Sequence, residues 1–550
     1  NTLNDTIYLD VYACTGTFSG VYTVGNSSAD FADINEAIDA LNLCGISGDV
    51  TLSVLSGRYD GFNINGIVNG ANDTTIVTIT SAAAHADSVV FEGGPALTLN
   101  NSAYLAFSNV TFDARTGGYA VAIIGNTDNV EISHCNIFAD PIGTASTTSG
   151  IYKSSSSGSS NNIRIIGNQI NGGFYGVYLY GSSSDYVQNV ILDSNIITNQ
   201  YYYGVYYYYV NSISTSYNTV TPRSVNQGTT WYGMRLYQNK NGGNIIGNKI
   251  HANNAAITSG IYGLYTYYID SALVANNEIY LNSTASNTYG IYIDYPKGSK
   301  FLHNSVLITG PSATARALYW YVYSSDSYDA TVMNNLFITN TSGSTPYAVY
   351  LAGTYSSAYA YNYRIDYNNY YSTGNMGYVG SAQATLANWK SVVISDIHST
   401  FILPVFAHVN SNLELTDYSA FIVPRINDVP VDINGINRTI LTMMGAYSEP
   451  LFEGYNLELT DIISPKAIDD VYCFGDYTDV KVVLKNAGTE NYYFDTNSIT
   501  LHLNVSGVYN YQFDTLINVG SMLASKKDTF DIMDMMPISL PGTYHISVYL

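Results

Sequence analysis

Tyrosine is the residue type whose repeated spacing could do chemistry in this sequence. One outward position, nearly always Tyr, recurs every 26 to 31 residues in phrases such as GVYLY and GLYTY. The residues at this position are Tyr152, Tyr178, Tyr206, Arg235, Tyr265, Tyr292, Tyr319 and Tyr350. A tyrosine offers a flat apolar ring and a hydroxyl, which suit a sugar ring, an extended peptide or a second copy of the same surface. We therefore predict these eight residues as ligand-binding positions.

Strand alternation is what would place these side chains outside. In GVYLY, Val177 and Leu179 would point inward, and Tyr178 and Tyr180 outward. A second set of outward positions lies two residues further on, and it comprises Ser154, Tyr180, Tyr208, Tyr237, Tyr267, Asp294 and Tyr321. Tyrosine is also a good strand former, and stacked rings stabilise neighbouring strands. A purely structural role therefore stays open beside glycan binding and protein contact.

Catalytic constellations are weaker than the tyrosine pattern. The best polar group is Asp113 with Arg115 and, one coil later, His134, a trio that is more often a turn salt bridge with a surface histidine. His251 and His303 occupy roughly corresponding places in two repeats, and a structural role is again favoured. No Ser-His-Asp order, phosphate loop or metal-ligand spacing appears. We predict no catalytic residue and no metal-binding residue.

The charged residues do not assemble into a polysaccharide-cleaving site in the sequence pattern. Glycoside hydrolases need two carboxylates roughly 5 to 9.5 Å apart, and polysaccharide lyases need a Lys or Arg base with further basic residues. The basic residues here scatter over different offsets: Lys153, Arg164, Arg235, Lys249, Lys297, Arg316 and Arg364. We therefore favour a protein without catalytic activity and keep a lyase or glycoside hydrolase as the alternative.

The elements that must position these residues form a repeat. An apolar run, an Asn and one or two further apolar residues recur 23 to 34 residues apart (Asn195 to Asn218, Asn335 to Asn369), as in IIGNQI and IIGNKI. The repeated residues are Asn109, Asn136, Asn168, Asn195, Asn218, Asn248, Asn277, Asn304, Asn335 and Asn369. Short runs with period-2 alternation and no helical period favour a solenoid of parallel strands over a βαβ array or a propeller. The Asn side chain can bond the same turn of the next coil, and Asn tolerates a left-handed corner.

An N-terminal helix should close the open end of this solenoid, since unpaired strand edges invite aggregation. In ADFADINEAIDALNLCG, Asp30 is the predicted N-cap, and Gly45 ends the helix. Its predicted apolar stripe consists of Ile34, Ala37, Ile38 and Leu41. Cys14 and Cys44 flank this unit and can pair in an oxidising compartment, although two free thiols stay an alternative. Cys135 is predicted to be a buried core thiol.

Composition excludes several function classes. The 550 residues include 46 Gly and 54 Tyr with only 11% charged residues, which favours an ordered β-rich chain over a disordered one. The net charge of −22 disfavours nucleic acid and anionic membrane surfaces as partners. No apolar run reaches 18 residues, so no membrane insertion is predicted. We predict no cofactor, and calcium stays open because it is compatible with an acidic surface.

Two blocks carry a likeness to a known group of proteins. The first block is SGVYTVGNSSADFADINEAIDALNLCGISGDVTLSVLSGRYDGFNIN, and the second comprises RIDYNNYYSTG, ATLANWKS, VDINGINR and MMGAYSEP. They resemble the opening and closing regions of secreted β-helix proteins of the Bacteroidetes type. From about Tyr455, the pattern PKAIDDVYCFGDYTDVKVVLKNAGTENYYF looks like the start of an adhesion-type Ig-like module.

The resemblance covers roughly residues 20–450 and implies a fold and a route of export. It implies an adhesin-like protein secreted through the type IX route to the extracellular cell surface. It leaves the activity open, because broader relatives include pectate lyases, pectin methylesterases, carbohydrate-processing periplasmic proteins and large adhesins.

We predict an all-β chain, a right-handed parallel β-helix with an N-terminal cap helix, followed by a partial Ig-like β-sandwich. The predicted limits are 1–20 for a lead-in segment, 21–70 for the cap and first coil, 71–395 for the parallel β-helix, 396–454 for its C-terminal cap and 455–550 for the Ig-like module. The predicted function is non-catalytic binding or adhesion, with a polysaccharide or a surface protein as partner. A structural spacer or filament subunit is a further alternative, and further domains of the same chain are expected beyond Leu550.

Overall fold

The computed structural model of the chain describes residues 14, 16–154, 158–225, 227–228, 230–240, 242–253, 256–323, 329–353, 363–409, 412–449, 454–465, 477–538 and 540–550. The chain divides into two units, Asn1–Phe401 and Ile402–Leu550. The first unit is a right-handed parallel β-helix, which confirms the predicted fold class.

Three walls of parallel strands build the solenoid, because each coil contributes short β-type runs that pair with the equivalent runs of the next coil. The first wall comprises Phe18–Val24, Ile46–Val54, Val77–Ser81, Ala103–Ser108, Thr127–Ser133, Ser160–Ile166, Val187–Asp193, Val210–Ser216, Asn244–Ile246, Leu273–Ala275, Ser299–Leu302, Ala330–Met333 and Tyr363–Asp366. The second wall comprises Thr111–Ala114, Asn136–Ala139, Gln169–Asn171, Ile196–Gln200, Thr219–Pro222, Lys249–Asn253, Glu278–Asn282, Ser305–Gly310, Leu336–Thr341 and Asn369–Ser372.

The third wall carries the predicted tyrosine positions and is called the tyrosine wall below. It comprises Tyr119–Ile124, Ser149–Lys153, Tyr175–Tyr180, Tyr203–Tyr208, Thr230–Asn239, Gly260–Ile269, Asn287–Asp294, Thr314–Val322, Thr345–Gly353 and Asn375–Val379. The antiparallel strand Ser381–Gln383 pairs with its last member. Near the N-terminus, the longer strands Gly57–Asn65 and Val89–Asn100 pair with each other, and the second of them continues into both the second wall and the tyrosine wall. A short 3-10 helix spans Ala86–Ser88.

One continuous apolar core fills the solenoid from Val24 to Val393. It forms because alternate residues of every strand point inward. Val177 and Leu179 are completely buried, while Tyr178 and Tyr180 between and beside them are half-buried on the outside. The predicted alternation of this phrase is therefore confirmed.

A ladder of buried asparagines, called the asparagine ladder below, runs along one corner of the solenoid. From the second member onward, each Oδ1 accepts hydrogen bonds from the backbone N–H and the Nδ2 of the ladder residue before it, and each Nδ2 also donates to a carbonyl of the preceding coil. The members are Asn168, Asn195, Asn218, Asn248, Asn277, Asn304, Asn335 and Asn368. The predicted bonding from coil to coil is confirmed.

Three of the predicted asparagines are not members of the ladder, because the strand register places them elsewhere. Asn368, not Asn369, continues the ladder, because Asn369 is the first residue of the following strand and pairs with Leu336. Asn136 likewise pairs with Gln169, and the ladder begins instead at the backbone N–H of Cys135, which donates to Asn168 Oδ1. Asn109 is also not a ladder member.

Except at Asn109, the left-handed corner belongs to a different residue from the predicted asparagine. The residue before each ladder Asn adopts the left-handed conformation. Its φ lies between 53° and 68° at Gly167, Ser194, Tyr217, Gly247, Asn276, His303, Asn334 and Tyr367. Asn109 and His134 occupy the same kind of corner, with φ 54° each. The ladder asparagines are therefore selected for their side-chain amides rather than for their backbone.

The N-terminal end is closed by the helix Ile34–Cys44. Its predicted stripe of Ile34, Ala37, Ile38 and Leu41 is buried, and Gly45 ends it with φ 75°. The predicted N-cap is wrong: Asp33 caps the helix by accepting from two backbone N–H groups, whereas Asp30 accepts from the N–H and hydroxyl of Thr23. Cys14 and Cys44 form a disulfide, and Cys135 is a buried free thiol. Cys473 lies outside the described residues.

The C-terminal end of the solenoid is closed by the helix Leu386–Val392. Its Trp389 is completely buried, and the indole Nε1 donates to Asp396 Oδ2 at 2.7 Å. The Tyr370 hydroxyl donates to the same oxygen at 2.8 Å. These bonds satisfy a carboxyl whose pKa is raised to about 6 by burial. Trp389, Tyr370 and Asp396 therefore form a hydrogen-bonded structural cluster at the end of the core.

The second unit is built from antiparallel strands. Two short pairs come first, Phe406–His408 with Asn412–Leu415 and Ile422–Pro424 with Leu441–Met443. The later strands form two three-stranded sheets and one further pair: Leu457–Ser464, Tyr477–Asn486 and Lys527–Pro537; Ile499–Gly507, Tyr511–Ile517 and Tyr544–Tyr549; and Tyr492–Tyr493 with Ser521–Met522. Both sheets contribute to one apolar core that includes Val482 and Leu503. The Ig-like identity of this segment and the predicted domain limits stay predictions.

Candidate functional site

All eight predicted binding residues lie in one column of the tyrosine wall, called the second column below. Strand register pairs Tyr152 with Tyr178, and the pairing continues coil by coil to Tyr350. The same register adds Tyr378 in the next coil. From Tyr152 to Tyr378 the column crosses eight strand spacings, about 38 Å at roughly 4.8 Å each.

The positions two residues further on form a third column. Register pairs Tyr180, Tyr208, Tyr237, Tyr267, Asp294 and Tyr321 in successive coils. Asp294 is the one carboxylate among the described outward residues of this column and of the second.

A further column, called the first column, was missed by the sequence pattern. It lies three residues before the second column and contains Tyr119, Ser149, Tyr175, Tyr203, Tyr232, Tyr262, Tyr289, Arg316 and Tyr347. Strict alternation would place residues three apart on opposite faces. The repeated Tyr-Gly-apolar-Tyr phrase is the signal that would have revealed this column.

A glycine makes the first and second columns share a face. Gly176 and Val177 are both buried, so that Tyr175 and Tyr178 on either side of them point outward together. A Cβ on Gly176 would lie 2.5 Å from Ile197 Cγ2 and 2.6 Å from the carbonyl oxygen of Gly204. Only a residue without a side chain fits this close approach between coils.

The tyrosine rings stack on one another along the columns. The ring centres of Tyr265 and Tyr292 are 4.4 Å apart with an interplanar angle of 21°, and those of Tyr237 and Tyr267 are 4.3 Å apart at 7°. Neighbouring rings therefore cover most of the flat apolar faces that the sequence pattern offered to a ligand. What stays accessible of a half-buried ring stacked on both sides is its edge and its hydroxyl.

These hydroxyls are protonated at neutral pH, and burial strengthens that preference. Burial raises the pKa of Tyr175, Tyr203 and Tyr262 to about 12. Burial also raises the pKa of Asp294 to about 6, against the opposing hydrogen bond that it accepts from the Tyr323 hydroxyl at 2.7 Å. The wall thus presents rows of neutral hydroxyl groups that can both donate and accept.

Two arginines interrupt the tyrosine columns. Arg235 occupies the second column between Tyr206 and Tyr265, and Arg316 occupies the first column between Tyr289 and Tyr347. Arg235 is one of the eight binding positions predicted from the sequence, whereas Arg316 was predicted only as one of the scattered basic residues.

The polar trio noted in the sequence is a structural salt bridge. Arg115 donates to both carboxylate oxygens of Asp113, at 2.9 Å from Nε to Oδ1 and 2.5 Å from Nη2 to Oδ2. Burial opposes ionisation of Asp113, but the hydrogen bonds from Arg115 hold the pKa of this carboxyl below its usual value. His134 is exposed at a left-handed corner and forms no described hydrogen bond with either residue.

His251 and His303 do not occupy corresponding places, so that sequence prediction is wrong. His251 lies within a strand of the second wall, where its Nε2 is 2.5 Å from Oε1 of the buried Glu278. His303 is completely buried at the corner position before Asn304, with Nε2 3.1 Å from Asn334 Nδ2. Both histidines are held by neighbouring coils rather than presented on the tyrosine wall.

Across the parts of the chain that the structure describes, no three His, Cys, Asp or Glu side chains cluster as metal ligands would. No helix in the described ranges is long and apolar enough to cross a membrane.

The solved structures that are distantly similar to this chain include a glycoside hydrolase and a tailspike protein. No family model and no curated protein matches the sequence. A GH136 lacto-N-biosidase from Eubacterium ramulus aligns with 59% of this chain at 11% identity and a TM-score of 0.41, and this chain spans 64% of that enzyme. The Dettilon tailspike protein aligns with 91% of this chain and 91% of its own length, at 11% identity and a TM-score of 0.33.

Proposed function

We propose that this chain is a non-catalytic binding protein that holds an extended polysaccharide along its tyrosine wall. The proposal includes secretion to an extracellular cell surface as an adhesin-like protein of the Bacteroidetes type, exported by the type IX route, with Ig-like and further domains continuing the chain. A surface protein is the alternative ligand.

The observation that carries this proposal is the register of the three columns. The first and second columns repeat hydroxyl groups at one strand spacing over about 38 Å, and the third column does so over a shorter stretch, so a ligand with repeating hydroxyls can make many equivalent contacts. The individual contacts are weak, about 1 kcal/mol for a net hydrogen bond, and they become useful through their number. Stacking holds the side chains in place before binding, which lowers the entropy cost of association.

A catalytic alternative has no supporting observation on this wall. Glycoside hydrolysis in most families uses two carboxyl groups flanking the scissile bond. Asp294 is the one carboxylate among the described outward residues of the three columns. We therefore develop the binding function alone.

The test uses variants that remove hydroxyls but keep the stacked rings. Wild type and the triple variant Tyr206→Phe, Tyr265→Phe, Tyr292→Phe are compared on a glycan array and in pull-downs of surface proteins. Loss of three hydrogen bonds should weaken polysaccharide binding at least about tenfold, while the melting temperature stays nearly unchanged. Tyr104→Phe with Tyr217→Phe is the matched control, since Tyr104 lies in a strand of the first wall and Tyr217 at a corner, both away from the tyrosine wall.

Three kinds of result would contradict the proposal. The first is undiminished polysaccharide binding by the triple variant. The second is an equal loss in the control. The third is capture of a protein but of no glycan, or burial of the wall against a second copy in sedimentation and cross-linking experiments, which would favour the protein-ligand or filament alternatives.

A further inference from the structure

Arg235 and Arg316 have different partners from Arg58, Arg115 and Arg164 of the same solenoid. Arg58, Arg115 and Arg164 each pair with a carboxylate, as Arg164 does with Glu131 at 2.8 Å. In a chain with 42 acidic and 20 basic residues, such pairing is the expected arrangement. Among the described residues, the hydrogen bonds and ring contacts of Arg235 and Arg316 are made to tyrosines.

Arg235 takes the place of a ring in the second column. Its guanidinium carbon lies 5.5 Å from the ring centre of Tyr206, 5.4 Å from that of Tyr265 and 5.5 Å from that of Tyr232. Its Nη1 donates to the Tyr203 hydroxyl at 3.1 Å, and its buried Nε has no described hydrogen-bond partner. A guanidinium carries five N–H donors, and because Nε is buried, the donors that a ligand could use are the N–H groups of Nη1 and Nη2 that have no described partner.

Arg316 repeats the arrangement in the first column. Its guanidinium carbon lies 3.9 Å from the ring centre of Tyr350 and 5.4 Å from those of Tyr289 and Tyr319. Its Nη1 donates to the Tyr289 hydroxyl at 2.9 Å, and its Nε also has no described partner. In both cases the accepting hydroxyl comes from the first column of the preceding coil.

Ring contacts stabilise these charges but do not neutralise them. A cation–π contact is worth about 0.5 to 2 kcal/mol and uses the face of the guanidinium, leaving the N–H groups in its plane free to donate. A carboxylate or sulfate accepts two such N–H groups at once, and charge-assisted bonds of this kind are about twice as strong as neutral ones. An anion is therefore the ligand group that complements each arginine.

The distance between the two arginines fits one polymer rather than two separate small ligands. Arg235 and Arg316 lie three strand spacings apart along the solenoid, which is about 14 Å. Tyr262, Tyr265, Tyr289 and Tyr292 fill the first and second columns between them. The ligand would contact an arginine at each end of this stretch and tyrosine hydroxyls in the middle.

We propose that the tyrosine wall selects acidic polysaccharides, with Arg235 and Arg316 each binding a carboxylate or sulfate group of the same polysaccharide molecule. This inference rests on the proposed binding function and adds the charge of its ligand. It assigns to Arg316 a binding role equal to that of Arg235.

The test measures affinity for three probes: polygalacturonate, which carries carboxylates, dextran sulfate, which carries sulfates, and neutral dextran. Wild type should bind at least one acidic polymer about tenfold or more tightly than dextran, and the one it binds identifies the anionic group. Arg235→Gln and Arg316→Gln should each weaken that binding about tenfold, as expected for a lost charge-assisted hydrogen bond. Arg164→Gln on the first wall is the matched control and should leave the affinity unchanged.

A measurement on the wild type alone protects the test against variants that fail to fold. Affinity for the acidic polymer should fall as NaCl rises from about 50 to about 300 mM, because salt screens ionic contacts. Salt-independent affinity, or unchanged acidic binding by a folded Arg235→Gln, Arg316→Gln double variant, would overturn the inference. Equal binding of dextran and acidic polymers would overturn it while leaving the binding function intact, whereas absence of binding to every polysaccharide would remove both.

Discussion

The asparagine ladder and the tyrosine wall are two repeats of the same solenoid, and they differ in how far their polar groups are hydrogen-bonded within the protein. Asn277 is completely buried, and its amide donates to Ile245 O and Asn304 Oδ1 while its oxygen accepts twice from Asn248. Tyr265, by contrast, is half-buried and stacked on Tyr292. Its hydroxyl lies on the outside of the coil.

The difference teaches how to separate structural from functional repeats. In the ladder every donor and acceptor is used between coils, so none remains for a ligand. In the wall the ring faces are used between coils, and some hydroxyls, such as those of Tyr292 and Tyr319, bond to each other, whereas other hydroxyls and two guanidinium groups retain unused capacity. Recurrence in the sequence is equally strong in both, and only the hydrogen-bond inventory distinguishes them.

The largest effect is expected where the ladder is broken. Asn277→Leu should lower the free energy of unfolding by about 4 kcal/mol, because it leaves several buried donors and acceptors of neighbouring coils without partners. Urea-induced unfolding measures the change. Asn253→Ala is the control, since its side chain is exposed and pairs only with Asn282 among the described contacts, and it should cost less than about 1 kcal/mol. If Asn277→Leu and Asn253→Ala lowered the free energy of unfolding equally, the ladder would not be a special source of stability.

A smaller effect is expected in the wall, and it should depend on the ring rather than on the hydroxyl. Tyr265→Ala removes the stack on Tyr292 and the contact with Arg235, and should cost about 3 kcal/mol. Tyr265→Phe keeps both contacts and should stay within about 0.5 kcal/mol of wild type. If the Phe variant is as unstable as the Ala variant, the hydroxyl is structural and is not reserved for a ligand.

The smallest stability effect concerns the single carboxyl of the columns and appears as a pH dependence. Burial raises the pKa of Asp294 from 3.8 to about 6, so the folded protein holds this proton more tightly than the unfolded chain does. Its contribution to stability is therefore greatest below pH 3.8 and declines as the pH rises to about 6. Asp294→Asn lacks this decline, and should gain on the order of 2 kcal/mol relative to wild type between pH 4 and pH 7. A difference that stays constant with pH would contradict the assigned burial.

Much of the fold was predictable because its repeats use local rules. Strand alternation placed Val177 inside and Tyr178 outside, and the ladder asparagines were visible as a fixed residue in each coil. Errors came where two residues of the same type suited one position. Asn368 and Asn369 are neighbours, and only strand register shows which of them belongs to the ladder. Asp30 and Asp33 both suit a helix start, and the hydrogen bonds of Thr23 decide between them.

The candidate site was only partly predictable. The second column follows from alternation, but the first column depends on the bend at Gly176, where two consecutive residues turn inward. Arg316 belongs to that first column, so its relation to Arg235 could not be seen before the bend was known. The covered ring faces also depend on the spacing between coils, which a single repeat does not reveal.

The most direct measurement is tyrosine footprinting of the wild-type protein with and without its bound polysaccharide, read residue by residue by mass spectrometry. Protection should concentrate at Tyr206, Tyr265 and Tyr292 on the tyrosine wall and leave Tyr217, an exposed corner tyrosine, unchanged. Protection of Tyr217 with no change at the three wall residues, measured under conditions where the polysaccharide is bound, would show that the ligand lies elsewhere on the solenoid.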